Sequence, residues 1–138
     1  MGRLKFSIQG REVYRTTISV RIDDINYAGH LGHDSVLTLC HEARFRFLRE
    51  MGQSELDLFG LGIIMTDAMV SYLAEGAPGD EIEITLSIDE VEKHGFVMYY
   101  GLKTAEKEIA RVKTGLAFFD YEKRRIAPCP SEFVDRFG

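Results

Sequence analysis

The chain has 138 residues, of which 45% are hydrophobic and 28% charged, as in an ordinary globular protein, and we expect one domain over residues 1–138. Its net charge of −5 argues against nucleic acid as a partner, because phosphate binding needs a basic surface. Two cysteines are too few for a disulfide framework, which favours a cytoplasmic location. We expect neither a signal peptide nor membrane insertion, since no apolar run is long enough.

The first elements along the chain are a strand and a long helix. Residues 12–22 are rich in β-branched side chains and predict a strand. After a polar loop, a helical period starts at Asp34 or Ser35, both good N-cap types, and runs to Met51. Gly52 follows as a stop signal.

The predicted helix has a broad apolar face. At 100° per residue this face contains Val36, Leu37, Leu39, Cys40, Ala43, Phe47, Leu48 and Met51. A face of that width predicts a helix that a sheet surrounds. Arg44 points into the same face, where it would either extend its charge to solvent or form an ion pair. Phe45 lies on the polar side, where an exposed aromatic ring suggests contact with another subunit or a ligand.

Four extended segments follow a connector over 53–59. Period-two patterning predicts strands at 61–74, 81–90, 95–104 and 108–121, and turn signals between the later segments favour an antiparallel meander. A short helix is possible from Ser131 to Phe137. Asp67 interrupts an apolar strand, so we expect a buried carboxylate there that needs a partner or lines a pocket.

The element order β-α-β-β-β-β predicts an α+β domain in which a five-stranded antiparallel sheet curves around one helix. Such a sheet leaves an edge and a face partly uncovered. A second copy of the chain would cover them, so we expect a homodimer, with a dimer of dimers as a further possibility.

The loop over 23–33 carries most of the polar groups that could perform chemistry. It contains Asp24, Asn26, His30 and His33, together with two glycines that allow a ligand to approach the backbone. The following helix begins with unpaired N–H groups and a partial positive charge, which suit a developing oxyanion. We therefore expect a carbonyl group to be bound here by backbone groups at Gly29, His30 and Gly32.

Several short motifs occur in an order that is typical of one family. They are Val20-Arg21 before Asp24-Ile25-Asn26, Gly29-His30-Leu31-Gly32-His33, Glu42-Ala43-Arg44, Phe47-Leu48-Arg49-Glu50-Met51-Gly52, Tyr72 and Gly79-Asp80-Glu81. In these motifs the chain resembles the hotdog-fold acyl-CoA thioesterases of the 4-hydroxybenzoyl-CoA thioesterase type. The resemblance implies the hotdog fold and hydrolysis of an acyl-CoA thioester to a free acid and coenzyme A at an inter-subunit site. It implies no cofactor, because coenzyme A is part of the substrate.

The sequence departs from the family motif at one position. The family has a catalytic aspartate where this chain has Asn26, and a carboxamide neither attacks a thioester nor accepts a proton at neutral pH. Asn26 can still orient water or bind the carbonyl. We expect Asp24 or His33 to activate water instead, with Glu42 and Asp67 as secondary candidates.

Other interpretations of these residues remain open. Asp24 and Asn26 are also common turn residues. The Glu42-Ala43-Arg44 triplet has a structural interpretation as well, in which Arg44 ties the loop to the helix. His30, His33, His41 and Asp24 could ligate a metal, but their spacing is nonspecific and we expect none. A protein that binds acyl thioesters without turning them over is the alternative function. A dehydratase fits the motif poorly.

Overall fold

The computed structural model describes residues 6–138 and contains one long helix, a sheet and a short C-terminal helix. In chain order the elements are β1 (Arg11–Ser19), a 3₁₀ turn (Ile22–Asp24), α1 (His33–Glu50), β2 (Gly62–Tyr72), β3 (Glu81–Asp89), β4 (Gly95–Lys103), β5 (Glu108–Asp120), β6 (Arg125–Ile126) and α2 (Ser131–Phe137). The predicted α+β class and every predicted element are confirmed. The two-residue strand β6 was not predicted.

The strands pair antiparallel in the order β1-β3-β4-β5-β2, with β6 added beside the end of β5. The meander predicted for all four later segments is therefore wrong for β2, because only β3, β4 and β5 are consecutive neighbours. α1 and its connector carry the chain from β1 at one edge of the sheet to β2 at the other edge. There β2 pairs with β5 over its whole length.

α1 lies against the sheet through the apolar face that the sequence predicts. Six of the eight predicted positions are buried, namely Val36, Leu39, Cys40, Ala43, Phe47 and Leu48, while Leu37 and Met51 are half-buried. The helix begins at His33 with Gly32 as its N-cap, so the prediction of Asp34 or Ser35 as the N-cap is wrong, and both residues lie in the first turn.

The end of α1 is fixed by glycine, as predicted. Gly52 has a φ of 74°, in the left-handed region, and its N–H donates to the Arg49 carbonyl at 2.9 Å. The N–H of Gln53 donates to the Leu48 carbonyl at 2.8 Å. These two bonds form the Schellman motif, which satisfies carbonyl groups of the last helical turn.

Arg44 is buried between α1 and the sheet and forms an ion pair. Its Nε donates to Glu55 Oε1 at 2.7 Å and its Nη1 donates to the Tyr100 hydroxyl at 2.8 Å. The Tyr100 hydroxyl lies 3.0 Å from Thr114 Oγ1. Burial alone would lower the pKa of Arg44, but Tyr100 and Glu55 together raise the pKa above its ordinary value. The guanidinium therefore stays charged and ties α1 to the connector and to the sheet.

The sheet and α2 enclose a cluster of aromatic rings. Phe133 of α2 is 1% exposed and its ring centroid lies 4.5 Å from that of Phe96 and 5.1 Å from that of Phe118. The predicted C-terminal helix is thus part of the core. Across residues 6–138, none of the helices is long and apolar enough to cross a membrane.

Asp67 is exposed, which contradicts the expected buried carboxylate. The pairing of β2 with β5 is irregular between Met65 and Asp67, where a bulge lies opposite Leu116 and Gly115. A bulge changes the direction in which the following side chains point. Thr66 Oγ1 donates to the Asp67 carboxylate at 2.8 Å, on the exposed surface of the strand.

Candidate functional site

Asp24 stabilises the turn between β1 and the loop. It is 3% exposed, its Oδ2 accepts the Arg21 N–H at 2.8 Å, and its Oδ1 lies 3.4 Å from Arg21 Nη2. Its backbone carbonyl accepts the Gly32 N–H at 2.8 Å. Asp24 therefore connects both ends of the loop, and its carboxylate contacts Arg21 rather than lining the cleft described below.

Asn26 organises the middle of the loop with its side chain. Its Oδ1 accepts the N–H of Ala28 at 3.0 Å and the N–H of His30 at 3.2 Å. Its own N–H donates to the His30 carbonyl at 2.8 Å. These bonds are those of an Asx turn, so the turn interpretation of this residue describes its contacts well. Both bonds are accepted by Oδ1, so the Nδ2 amide is the group of this side chain that can donate a hydrogen bond to a ligand.

The loop uses the backbone N–H groups on which the sequence analysis relied. The Gly29 N–H donates to the Asn26 carbonyl at 3.0 Å, the His30 N–H to Asn26 Oδ1, and the Gly32 N–H to the Asp24 carbonyl. Donors for a bound carbonyl group are instead found directly after Gly32, at the start of α1. The first turn of α1 begins at His33, and its N–H groups have no carbonyl in a preceding turn and lie at the positive end of the helix dipole.

A cleft of about 390 Å³ lies where the loop, the start of α1 and the end of β2 meet. Its apolar lining includes Leu31, Val36 and Ile109, and its polar lining consists of Asn26, His30, His33, Tyr72 and Glu75. The Leu31 N–H donates to the Gly76 carbonyl at 2.8 Å and thereby joins the loop to the segment after β2. The cleft thus brings together three of the predicted site residues.

His33 is the first residue of α1 and its ring lies against Tyr72. The two ring centroids are 4.1 Å apart with an interplanar angle of 23°, so the rings are stacked. The Tyr72 hydroxyl donates to the His33 carbonyl at 3.2 Å. Partial burial, followed by the nearby Asp34 carboxylate, raises the pKa of the Tyr72 phenol. Tyr72 therefore remains a hydroxyl donor at neutral pH and fixes the plane of the imidazole.

His30 has a carboxylate partner in the same cleft. Its Nε2 lies 3.2 Å from Oε2 of Glu75, and both side chains reach solvent. Sequence reasoning missed Glu75, because the residue is 45 positions away from His30 and belongs to the segment after β2. The resemblance included Tyr72, but without a role for it.

Glu42 lies in a different depression. It pairs with Arg46 at 2.9 Å and, with Arg21 and Phe45, lines a space of about 440 Å³ between the outer side of α1 and β1. Phe45 is 46% exposed, as expected for a ring on the polar side, and the Arg49 guanidinium lies 5.4 Å from its centroid. The structure therefore does not place Glu42 beside Asn26.

The histidines and Asp24 do not converge on one point. His41 Nε2 lies 3.2 Å from Glu55, on the side of α1 that faces the connector, while Asp24 contacts Arg21. Within the part of the chain that the structure describes, no group of three or more His, Cys, Asp or Glu side chains is arranged to hold a metal ion.

Removal of the Tyr72 ring should free the His33 imidazole. We expect Tyr72→Ala to abolish the ring-current shift of the His33 imidazole protons, because the stack supplies that shift, while Tyr72→Phe keeps it. The measurement is the proton NMR spectrum of each variant, with His33→Gln as the control that assigns the His33 signals. An unchanged His33 signal in Tyr72→Ala would mean that the stack does not persist in solution.

Comparison with known families gives a match over most of the chain. A family model described as the thioesterase-like superfamily matches residues 20–137. A search of curated proteins finds no significant match.

Solved structures share the fold at low sequence identity. A 1,4-dihydroxy-2-naphthoyl-CoA thioesterase from Synechocystis aligns with a TM-score of 0.79 and 23% identity, covering 88% of this chain and 92% of that chain. A gentisyl-coenzyme A thioesterase aligns with a TM-score of 0.80 and 20% identity, covering 91% and 100%. A 4-hydroxybenzoyl CoA thioesterase mutant in complex with 4-hydroxybenzoyl CoA aligns with a TM-score of 0.78 and 15% identity, covering 91% and 98%.

Proposed function

Because the chain belongs to the thioesterase-like superfamily, we propose that it hydrolyses an acyl-CoA thioester to a free acid and coenzyme A. The observation that carries the proposal is the cleft in which Asn26, His30 and His33 meet the start of α1. Solved proteins of the same fold are described as thioesterases that act on CoA esters. The cleft has an apolar lining for an acyl group and polar groups for a reaction at a carbonyl.

The proposed reaction begins with the thioester carbonyl at the start of α1. N–H groups of the first helical turn donate to the carbonyl oxygen and stabilise the negative charge that develops on it. The Asn26 Nδ2 group orients the attacking water or the carbonyl. Asp24 is held by Arg21, so the imidazoles of His30 and His33 are the better candidates for the base. Neutral imidazole is an effective base near pH 7.

We also propose that the protein forms a homodimer, with the cleft near the subunit boundary. Two such dimers would form the tetramer that the sequence analysis also allows. β2 forms one edge of the sheet and ends at Tyr72, which lines the cleft. Its Met65 side chain is 48% exposed. An uncovered edge strand is a favourable place for a second chain to add. The free thiols of Cys40 and Cys129 favour the cytoplasm as the location.

The experiment that tests the function is a panel of acyl-CoA esters that covers short, long and aromatic acyl groups. Thiol release is followed with a chromogenic disulfide reagent under steady-state conditions. We expect saturable release of coenzyme A with at least one member of the panel. A complete absence of thiol release across the panel would contradict hydrolysis.

A second candidate function is binding of acyl thioesters without turnover, and Asn26 is the observation that favours it. A carboxamide at the family's catalytic position cannot act as nucleophile or base. In that case acyl-CoA raises the melting temperature, because the ligand binds only the folded chain, while no thiol is released. Thermal unfolding with and without acyl-CoA separates the two functions.

A further inference from the structure

We propose that His30, supported by Glu75, is the general base of this hydrolysis and takes the role that Asn26 cannot fill. This inference rests on the proposed function. It assigns the base to a residue pair that joins the loop to the segment after β2. The contact that carries it is the 3.2 Å separation of His30 Nε2 from Glu75 Oε2 inside the cleft.

The backbone holds the two residues beside each other. The Leu31 N–H donates to the Gly76 carbonyl at 2.8 Å. His30 directly precedes Leu31 in the chain, and Glu75 directly precedes Gly76. Asn26 binds both the N–H and the carbonyl of His30. These bonds therefore hold the two residues side by side along the backbone, while both side chains remain partly in solvent. Catalytic side-chain contacts are often loose before substrate binds.

The arrangement matches that of a base oriented by a third group. A carboxylate next to Nε2 favours the tautomer that carries its proton on Nε2, which leaves the lone pair of Nδ1 to accept a proton. Glu75 is thus a positioning residue that acts through His30. His33 differs, because its ring face lies against Tyr72.

The proton and electron balance of the step is complete without another reactant. His30 Nδ1 accepts a proton from water while the water oxygen forms a bond to the thioester carbonyl carbon. Collapse of the resulting oxyanion breaks the carbon–sulfur bond, and the coenzyme A thiolate leaves with the electron pair. The thiolate takes the proton from the imidazolium. The products are the acid and the free thiol, and Glu75 is unchanged.

The test compares steady-state kinetics of variants of the full chain, with the best ester from the panel. We expect His30→Gln to lower kcat by about 100-fold and Glu75→Gln by about 10-fold, with KM within about twofold, since general-base catalysis is commonly worth 10²–10⁴-fold. His33→Gln should have a smaller effect than His30→Gln. The matched controls His94→Gln and Glu106→Gln, in exposed turns away from the cleft, should keep the activity of the original chain.

The double variant His30→Gln/Glu75→Gln provides a readout that a merely structural role of Glu75 would not give. Its kcat should equal that of His30→Gln alone within about twofold, because Glu75 acts only through the imidazole. A further loss of about 10-fold in the double variant, or a kcat within about threefold of the original chain in both His30→Gln and Glu75→Gln, would overturn the base assignment and leave hydrolysis intact. Absence of thiol release from the original chain would overturn both. If His30→Gln does not fold, Glu75→Asp, which keeps the carboxylate, decides the question: a kcat closer to the original chain than that of Glu75→Gln supports the pair, and equal losses overturn it.

Discussion

Asn26→Asp should raise kcat for thioester hydrolysis by about 10- to 100-fold, within the range of general acid–base effects. The reason lies in the two bonds that the Asn26 side chain accepts, from the N–H groups of Ala28 and His30. One oxygen of a carboxylate accepts the same two bonds, and more strongly because it is charged. The other oxygen then takes the place of Nδ2 and is free to act as nucleophile or base.

Steady-state kinetics and thermal unfolding of the same preparations provide the measurement. The matched control is Asn26→Ala, which removes both accepted bonds and should lower the melting temperature as well as kcat. A lower kcat in Asn26→Asp with an unchanged melting temperature would contradict the expected gain, and would mean that the Nδ2 amide itself acts on the substrate. If the original chain only binds acyl-CoA, the gain would appear as turnover where none was present.

Arg44→Ala should lower the free energy of unfolding by about 3 kcal/mol, the scale found when a buried, hydrogen-bonded charged group is removed. The change removes the guanidinium that bonds both Glu55 and the buried Tyr100 hydroxyl. Tyr100 keeps its contact with Thr114 and the Glu55 side chain is 30% exposed, so both groups are partly compensated after the substitution. The estimate is therefore below the largest losses known for buried ion pairs.

Urea unfolding of Arg44→Ala, Tyr100→Phe and the double variant measures this effect as a cycle. Tyr100→Phe removes only the hydroxyl and should cost about 1–2 kcal/mol. We expect the double variant to be less destabilised than the sum of the single variants by about 1 kcal/mol, since the two groups contact each other. Additive effects would show that the Arg44–Tyr100 bond does not contribute to stability.

Local periodicity was enough to predict the strands, the helix and its buried face. Gly52 marked the helix end because a left-handed residue is needed there. The neighbours of β2 were not predictable in this way, since alternation tells which side chains share a face and carries no information about which strand lies alongside. The prediction that Asp67 is buried was wrong for a related reason. A bulge breaks the alternation of the strand, and the sequence contains no clear sign of this bulge.

The candidate site was predictable where its residues are close in sequence. Asn26, His30 and His33 belong to one loop and line one cleft. Glu75 reaches the cleft only through the pairing of the loop with the segment after β2, which is a tertiary contact. Glu42 was a candidate because it lies at the polar edge of the helix, but it pairs with Arg46 and lines a separate depression. The prediction that amides of the loop donate to a ligand overlooked the hydrogen bonds that these amides form within the loop.

The Asx turn at position 26 has an evolutionary consequence. Asparagine and aspartate codons differ by a single nucleotide, and a carboxylate oxygen is able to accept the two bonds that Asn26 Oδ1 accepts here. A lineage with this scaffold can therefore exchange a neutral for an acidic group by one mutational step, while the backbone path and the neighbouring imidazoles are retained. The group available for catalysis at position 26 can therefore change during evolution without loss of the fold.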